Sequence, residues 1–205
     1  MGYSQADKAR SRERILDAAA RQISERGLDS VSVADSMQSA GLTKGAFYAH
    51  FASREAMIAE AADRVMQHGQ ARIDHLFRVK KKPTVAQIAD VWLDPEHIEN
   101  LGDGCGICAL AGEARYAGSE VRQVIASHFE KNVEQIAQAL GGGGAATARA
   151  TAILTAIVGA VSMARAVGSP ELAQVILENT RAMVTHPAFL KCSSESRDGH
   201  HGVPF

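Results

Sequence analysis

The sequence predicts an all-α fold, with a three-helix helix-turn-helix unit at the N-terminus and a larger helical domain after it. Ala and Gly are abundant, and alternation of β-branched residues is nearly absent. Apolar residues instead recur at three- and four-residue spacing, which is typical of helices with one buried face. With 205 residues, of which 46% are hydrophobic, the chain can build a small unit and a larger core beside it.

The first predicted helix covers residues 8–26. Ile15, Ala19 and Ile23 share one face at four-residue spacing, and Gly27 ends the helix. After the helix-turn-helix pair, Ser53 caps another helix that continues toward residue 76.

The segment 32–51 predicts two short helices, over 33–40 and 43–50, around one glycine. Ser32 with Asp35 three residues later resembles a capping box, and Gly41 can take the left-handed conformation that ends a helix. Thr43 offers a hydroxyl as the next N-cap. The second helix would present a small, polar start and bury Phe47 and Phe51. A helix-turn-helix places such a second helix in the major groove of DNA.

Helical patterns resume after a break at Lys80–Pro83. They predict helices near 85–92, after a Gly-rich loop at 101–106, over 119–140, over 145–167 and over 170–184. The helix over 145–167 is apolar on more than one side, so burial in one subunit accounts for only part of its apolar surface, and a two-helix dimer surface accounts for the rest. The predicted divisions are 1–54, 55–190 and a disordered tail at 191–205.

Charge and composition restrict the classes of function. The net charge is −1, and residues 1–60 balance eight Lys and Arg against eight Asp and Glu, so DNA binding must depend on a few placed residues. The longest apolar stretch falls short of the ~20 residues that a membrane span needs. Three cysteines in 205 residues suggest a reducing compartment, so we expect a cytoplasmic protein with no membrane partner.

Residues 8 to about 60 resemble the DNA-binding domain of TetR-family transcriptional repressors. The resemblance lies in the strings ILDAA from Ile15, VSV from Val31, AGLTKGAFYAHF from Ala40 and SREAM from Ser53. It implies a homodimer, formed through the last two helices, that binds a double-stranded operator and releases it when an effector binds the C-terminal domain.

The chemistry of the matched residues agrees with that role. Thr43 and the backbone N–H groups near it can bond phosphate, Lys44 can reach a phosphate or a guanine, and small Gly45 and Ala46 allow close approach. The predicted DNA contacts are Thr43, Lys44, Gly45, Ala46, Tyr48, His50 and Arg54, with Arg10 and Arg14 in a basic N-terminal arm that also holds Lys8 and Arg12.

A second string, with Gly104-Cys105 followed by Leu110-Ala111 and Glu113, is similar to a TetR subgroup with a Gly-Cys-x-x-x-x-Leu-Ala-x-Glu signature. Some members of that subgroup sense electrophiles or reactive chlorine through this cysteine, so the resemblance implies that Cys105 is a sensor. A helix N-terminus lowers a thiol pKa, and Cys108 lies within reach as a resolving thiol. Packing or pocket lining is the alternative role for both.

A small-molecule effector pocket is expected between Trp92, Tyr116, Phe129 and the last helices, and core packing is the alternative for each of these residues. No catalytic residue, metal or cofactor is expected. The alternatives are a helical thiol or metal enzyme centred on Cys105, Cys108 and His97, and an interaction module that has lost DNA binding.

Overall fold

The computed structural model describes residues 4–95 and 105–190, and these residues form helices with no β-strand among them. The predicted all-α class is confirmed. The helices are α1 Gln5–Arg26, α2 Val33–Ser39, α3 Arg54–Val79, α4 Val85–Trp92, α5 Gly106–Leu110, α6 Ser119–Ala139, α7 Gly144–Ala166, α8 Pro170–Thr185 and α9 Pro187–Leu190, with 3-10 helices at Leu28–Ser30 and Lys44–Ala49. The predicted tail at 191–205, and His97, lie outside the described residues.

Helix α1 begins three residues earlier than predicted, because a capping box holds its first turn. The Ser4 side chain accepts from the Asp7 backbone N–H, and the Asp7 carboxylate accepts from the Ser4 backbone N–H. The face that carries Ile15, Ala19 and Ile23 is buried, as predicted.

Helix α3 belongs to both hydrophobic clusters of the protein. Its first half packs with α1, α2 and α5 in one cluster, and Ile73 in its second half packs with α4, α6, α7 and α8 in the other. Phe129 is half-buried and contacts both clusters. A single continuous helix therefore joins the N-terminal unit to the C-terminal helices.

Polar pairs fix α3 to its neighbours on two sides. Arg64 on α3 forms ion pairs with Glu13 and Asp17 on α1. On the other side, Asp63 Oδ1 lies 2.7 Å from His128 Nε2 on α6. These links restrict how far α3 can move against either helix.

Helix α7 is the one described helix that is long and apolar enough to cross a membrane by length and composition alone. Its buried face, which includes Ile153, Ile157 and Val161, packs into the second cluster. Only 39% of its most apolar window is buried inside this subunit, so much of its surface is without a covering neighbour among the described residues.

Candidate nucleic-acid interface and thiol pair

The turn between α2 and the next segment is a Schellman motif centred on Gly41. Gly41 has φ +73°, its N–H donates to Gln38 O at 2.9 Å, and Leu42 N–H donates to Met37 O at 2.9 Å. The left-handed conformation predicted for Gly41 is confirmed. The turn fixes the direction in which the chain leaves α2.

We call residues 43–48 the reading segment. The sequence predicts an α-helix over 43–50, but Lys44–Ala49 is a 3-10 helix, with Ala46 N–H donating to Thr43 O and His50 N–H to Phe47 O. A short segment that contains Gly45 has little intrinsic helix stability, so packing decides its form. Thr43 occupies the N-cap position, but its hydroxyl accepts no capping hydrogen bond.

Two phenyl rings anchor the reading segment while its other side chains face solvent. Phe47 and Phe51 are buried and stack with ring centroids 5.6 Å apart. Tyr48 is 80% exposed, and Lys44 is also exposed. The Tyr48 ring makes a T-shaped contact with Phe47, but most of its surface is exposed and therefore available to a partner.

A buried glutamine that the sequence did not reveal positions α2. Gln22 Nε2 donates to Ser36 Oγ at 3.2 Å, and Gln22 Oε1 accepts from Ser32 N–H at 2.9 Å. Both side chains are buried, so each satisfies a polar group that would otherwise lose water without compensation. Gln22 therefore sets the start of α2 against α1.

Arg12 has a structural role that the sequence did not reveal, while its place in a DNA-contacting basic arm stays a prediction. Its Nε donates to His50 O at 3.3 Å, its Nη2 donates to Glu60 Oε1 at 2.6 Å, and its guanidinium lies 4.7 Å from the Phe51 ring centroid. Arg12 thus ties α1 to the end of the reading segment and to α3.

The other basic residues of α1 lie on two different faces. Lys8, one turn before Arg12, lines a notch of about 270 Å³ beside Ala46 and His50. Arg10 is two residues from Lys8, roughly 200° around the helix, and pairs with Asp7. Arg14, four residues on, shares the face of Arg10. Of the four residues, Lys8 is the one that lines the notch beside the reading segment, and contact of Arg10 and Arg14 with DNA stays a prediction.

The surroundings of His50 favour its neutral form. Burial, followed by the positive charges of Lys8 and Arg12, lowers the pKa of His50 below its usual range. Its Nδ1 is buried without a hydrogen-bond partner. A neutral ring protonated on Nε2 leaves only a lone pair at Nδ1, and it keeps an N–H donor for a phosphate oxygen.

Arg54 is partly engaged within the chain. Its Nη2 donates to Val31 O at 2.9 Å, which links the start of α3 to the loop before α2. The residue remains exposed, so this bond gives it a positioning role and leaves other guanidinium N–H groups for a partner.

Residues 15–61 match the family model for bacterial regulatory proteins of the tetR family. Residues 15–61 therefore form a tetR-family helix-turn-helix. The segment is similar to two proteins of Bacillus subtilis described as uncharacterised HTH-type transcriptional regulators. YvdT is 43% identical over 56 residues, which are 27% of this chain and 29% of YvdT, and YdgC is 44% identical over 50 residues, 24% and 26% of the two chains. These matches span less than a third of either relative.

Solved structures extend the likeness of fold beyond the tetR-family segment. NemR of E. coli in its reduced form has a TM-score of 0.68 at 20% identity, over 85% of this chain and 95% of NemR. A TetR-family regulator from Cytophaga hutchinsonii has a TM-score of 0.69 at 18% identity, over 90% and 96% of the two chains. The described C-terminal helices therefore share the fold of these two structures, although the identities are too low to carry over function.

Two cysteines lie together where α5 begins. Cys105 is buried at the N-cap of α5, and Cys108 is half-buried with its Sγ 3.7 Å from Val158 O. A hydrogen bond from the Cys108 thiol lowers the pKa of Cys105 to about 7 from 9.0, aided by the backbone N–H groups of Cys108 and Ile107 and by Arg165, while burial opposes the shift. The same bond, with burial, raises the pKa of Cys108.

The thiol with the lower pKa is not the one that faces a cleft. Cys105 is only 7% exposed, whereas Cys108 lines a cleft of about 300 Å³ between the last turn of α1 and the end of α7. The sequence singled out Cys105 by its signature and its helix start. Only the packing reveals that Cys108 stands between Cys105 and this cleft.

The three aromatic residues of the predicted effector pocket lie in different surroundings, and the pocket itself stays a prediction. Trp92 is buried in the second cluster, Phe129 packs against both clusters, and Tyr116 is 73% exposed beside Arg115. Trp92 and Phe129 are part of the hydrophobic packing, whereas Tyr116 lies in the turn after α5 and faces solvent. A different cleft, of about 680 Å³, lies between Leu93 and the start of α8.

Metal ligands are not grouped within residues 4–95 and 105–190, where no three His, Cys, Asp or Glu side chains could hold an ion. His97, the third member of the alternative enzyme site, lies outside the described residues. Cys105 and Cys108 are therefore placed as a thiol pair.

Proposed function

We propose that this protein is a TetR-type transcriptional regulator, a cytoplasmic repressor that holds a palindromic operator with the reading segments of a homodimer. The main support for this proposal is the tetR-family helix-turn-helix, in which the phenyl rings of Phe47 and Phe51 are buried while Lys44 and Tyr48 face solvent. Lys44 meets a phosphate or a guanine, Tyr48 and His50 meet phosphates, and Thr43, Gly45 and Ala46 allow close approach. Lys8 contacts the same DNA phosphate backbone, and Arg54 adds positive charge beside it.

The exposed faces of α7 and α8 support the homodimer. On α7, residues Ala152, Thr155, Gly159 and Met163 are exposed at helical spacing, and on α8 the matching residues are Leu172, Val175, Asn179 and Met183. A Cβ added at Gly159 meets nothing within 4 Å inside the subunit. Glycine in a helix costs about 1 kcal/mol relative to alanine, so close approach of a second subunit explains its presence better than packing within one.

The thiol pair supports release of the operator by thiol modification, as expected for the Gly-Cys signature subgroup. A peroxide transfers one oxygen to the Cys105 thiolate, giving a sulfenic acid and hydroxide. The Cys108 thiol then attacks that sulfur, a disulfide forms, and water leaves. An electrophile would instead add to one sulfur. Either change would favour a conformation whose two reading segments no longer match the half-site spacing. A small-molecule effector is the other route to the same change.

Selection from a random pool of double-stranded DNA tests this function. We expect the reduced protein to enrich an inverted repeat, and we expect hydrogen peroxide to release the selected DNA. Release by peroxide should fail in a Cys105→Ser, Cys108→Ser variant that still binds. Absence of sequence-dependent retention at low salt would overturn the proposal.

The pH dependence of thiol alkylation tests the state of Cys105. The thiolate is the reactive form, so a lowered pKa moves the reaction to lower pH. We expect the rate of labelling of Cys105 by iodoacetamide, mapped by mass spectrometry, to rise with pH with a midpoint at about 7. The Cys108→Ala variant removes the largest cause of the shift, so its midpoint should move up toward 9.0. Equal midpoints in the two proteins would contradict this assignment.

A further inference from the structure

A carboxylate from the C-terminal helices binds the backbone directly after α1, at the first N–H of the 3-10 helix Leu28–Ser30. Glu113, in the turn after α5, accepts a hydrogen bond from Leu28 N–H at 2.6 Å, and the two residues are 85 apart in sequence. Gly27 has φ +86°, and a Cβ built there would lie 2.5 Å from Glu113 Oε1. The carboxylate is therefore seated on the backbone of the tetR-family unit with no room for a side chain between them.

A second contact of the same kind holds the start of α5 against α3. A Cβ built on Gly106 would lie 2.9 Å from the Met66 Cα. Gly106 follows Cys105 directly, so the thiol pair sits in a short helix that is clamped at both ends, by α3 at Gly106 and by α1 at Glu113. Packed interfaces of this kind shift between discrete arrangements and do not deform smoothly.

The cleft that reaches Cys108 passes the same carboxylate. Its lining includes Cys108, Glu113, Arg165 and the last residues of α1 from Ile23 to Gly27. A group attached to the Cys108 sulfur would occupy the space beside Glu113. A disulfide to Cys105 would instead distort the first turn of α5, where Gly106 lies against Met66.

We propose that Glu113 is the positioning residue that transmits the state of the thiol pair to the tetR-family unit. Thiol modification displaces α5 and the turn after it, and the Glu113 carboxylate leaves Leu28 N–H. The end of α1 then loses its link to the C-terminal helices, and the orientation of the reading segment relative to the dimer is no longer held. This inference rests on the proposed release of DNA by thiol modification.

The test measures the coupling factor, which is the operator Kd after alkylation with N-ethylmaleimide divided by the Kd of the reduced protein. Couplings between sites in proteins are commonly about 5- to 150-fold. We expect at least about tenfold for the wild type. Glu113→Ala should bind DNA weakly already when reduced and change less than about twofold on alkylation. Glu113→Gln keeps an acceptor for Leu28 N–H and should retain most of the coupling.

Glu130→Ala is the matched control, because Glu130 is an exposed glutamate on α6, and it should behave as the wild type. If alkylation leaves the wild-type Kd unchanged, the proposed thiol switch fails together with this inference. If the wild type responds and Glu113→Ala responds equally, this inference alone is overturned.

If the Glu113→Ala variant does not fold, hydrogen exchange at the Leu28 amide of the wild type tests whether the Glu113 carboxylate leaves Leu28 on alkylation. In the wild type this amide should be protected when the thiols are reduced, and it should exchange at least about tenfold faster after alkylation while core amides stay protected. An unchanged rate at Leu28 would show that the carboxylate stays in place, and would overturn the proposal.

Discussion

The Lys44→Ala, Tyr48→Ala double variant is expected to bind the selected operator about a thousandfold more weakly than the wild type, while its folding stability falls by no more than about 1 kcal/mol from the lost contact with Phe47. Both side chains are exposed, and Tyr48 contacts the core only through the edge of Phe47. Each lost contact with DNA costs about 1 kcal/mol, and a dimer loses four, which is about 4 kcal/mol. Fluorescence anisotropy with labelled operator at fixed salt measures the effect.

The control changes the same two residue types elsewhere. Lys80 follows α3 and Tyr116 is 73% exposed after α5, so Lys80→Ala with Tyr116→Ala makes the same change of charge and aromatic area away from the reading segment. This variant should keep operator affinity within about threefold. Equal losses in the two variants would indicate a general effect of charge, and the proposed role of the reading segment would be wrong.

The helices and their caps could be predicted because their signals are local. Ser32 accepts from Asp35 N–H, Ser53 from Ala56 N–H and Ser169 from Leu172 N–H, and each cap lies within three residues of its partner. Gly41 likewise responds to the turn that immediately surrounds it. The sequence does not predict the 3-10 helix over Lys44–Ala49, because a segment of six residues does not determine by itself whether it forms an α-helix or a 3-10 helix.

Roles that depend on distant partners could not be predicted. Arg12 resembles a free basic residue in sequence, and its acceptor on His50 lies 38 residues away. Glu113 was recognised only as part of a signature, since nothing local points to Leu28 as its partner. The different surroundings of Cys105 and Cys108 also depend on packing, because their spacing in the sequence does not show which sulfur faces the cleft.

Dimerisation through α7 and α8 predicts the second large effect. Val175 is 50% exposed in the middle of α8, among Leu172, Asn179 and Met183 on the same face. In the proposed dimer, Val175→Glu places two carboxylates in the apolar interface, and an unpaired buried charge costs several kcal/mol. We expect the dimer dissociation constant to rise at least about a hundredfold, measured by sedimentation velocity.

The loss of the dimer should also weaken operator binding, because two linked reading segments bind DNA about 10²- to 10⁴-fold more tightly than either alone. Val79→Glu is the matched control: Val79 is 61% exposed at the end of α3, so the same substitution is made outside the α7–α8 face. The control should remain a dimer and bind DNA. If Val175→Glu also remains a dimer, α7 and α8 do not form the interface. A monomer has only half of the DNA contacts on which the proposed operator affinity depends. If the Val175→Glu variant becomes a monomer and keeps its operator affinity, binding does not require two reading segments.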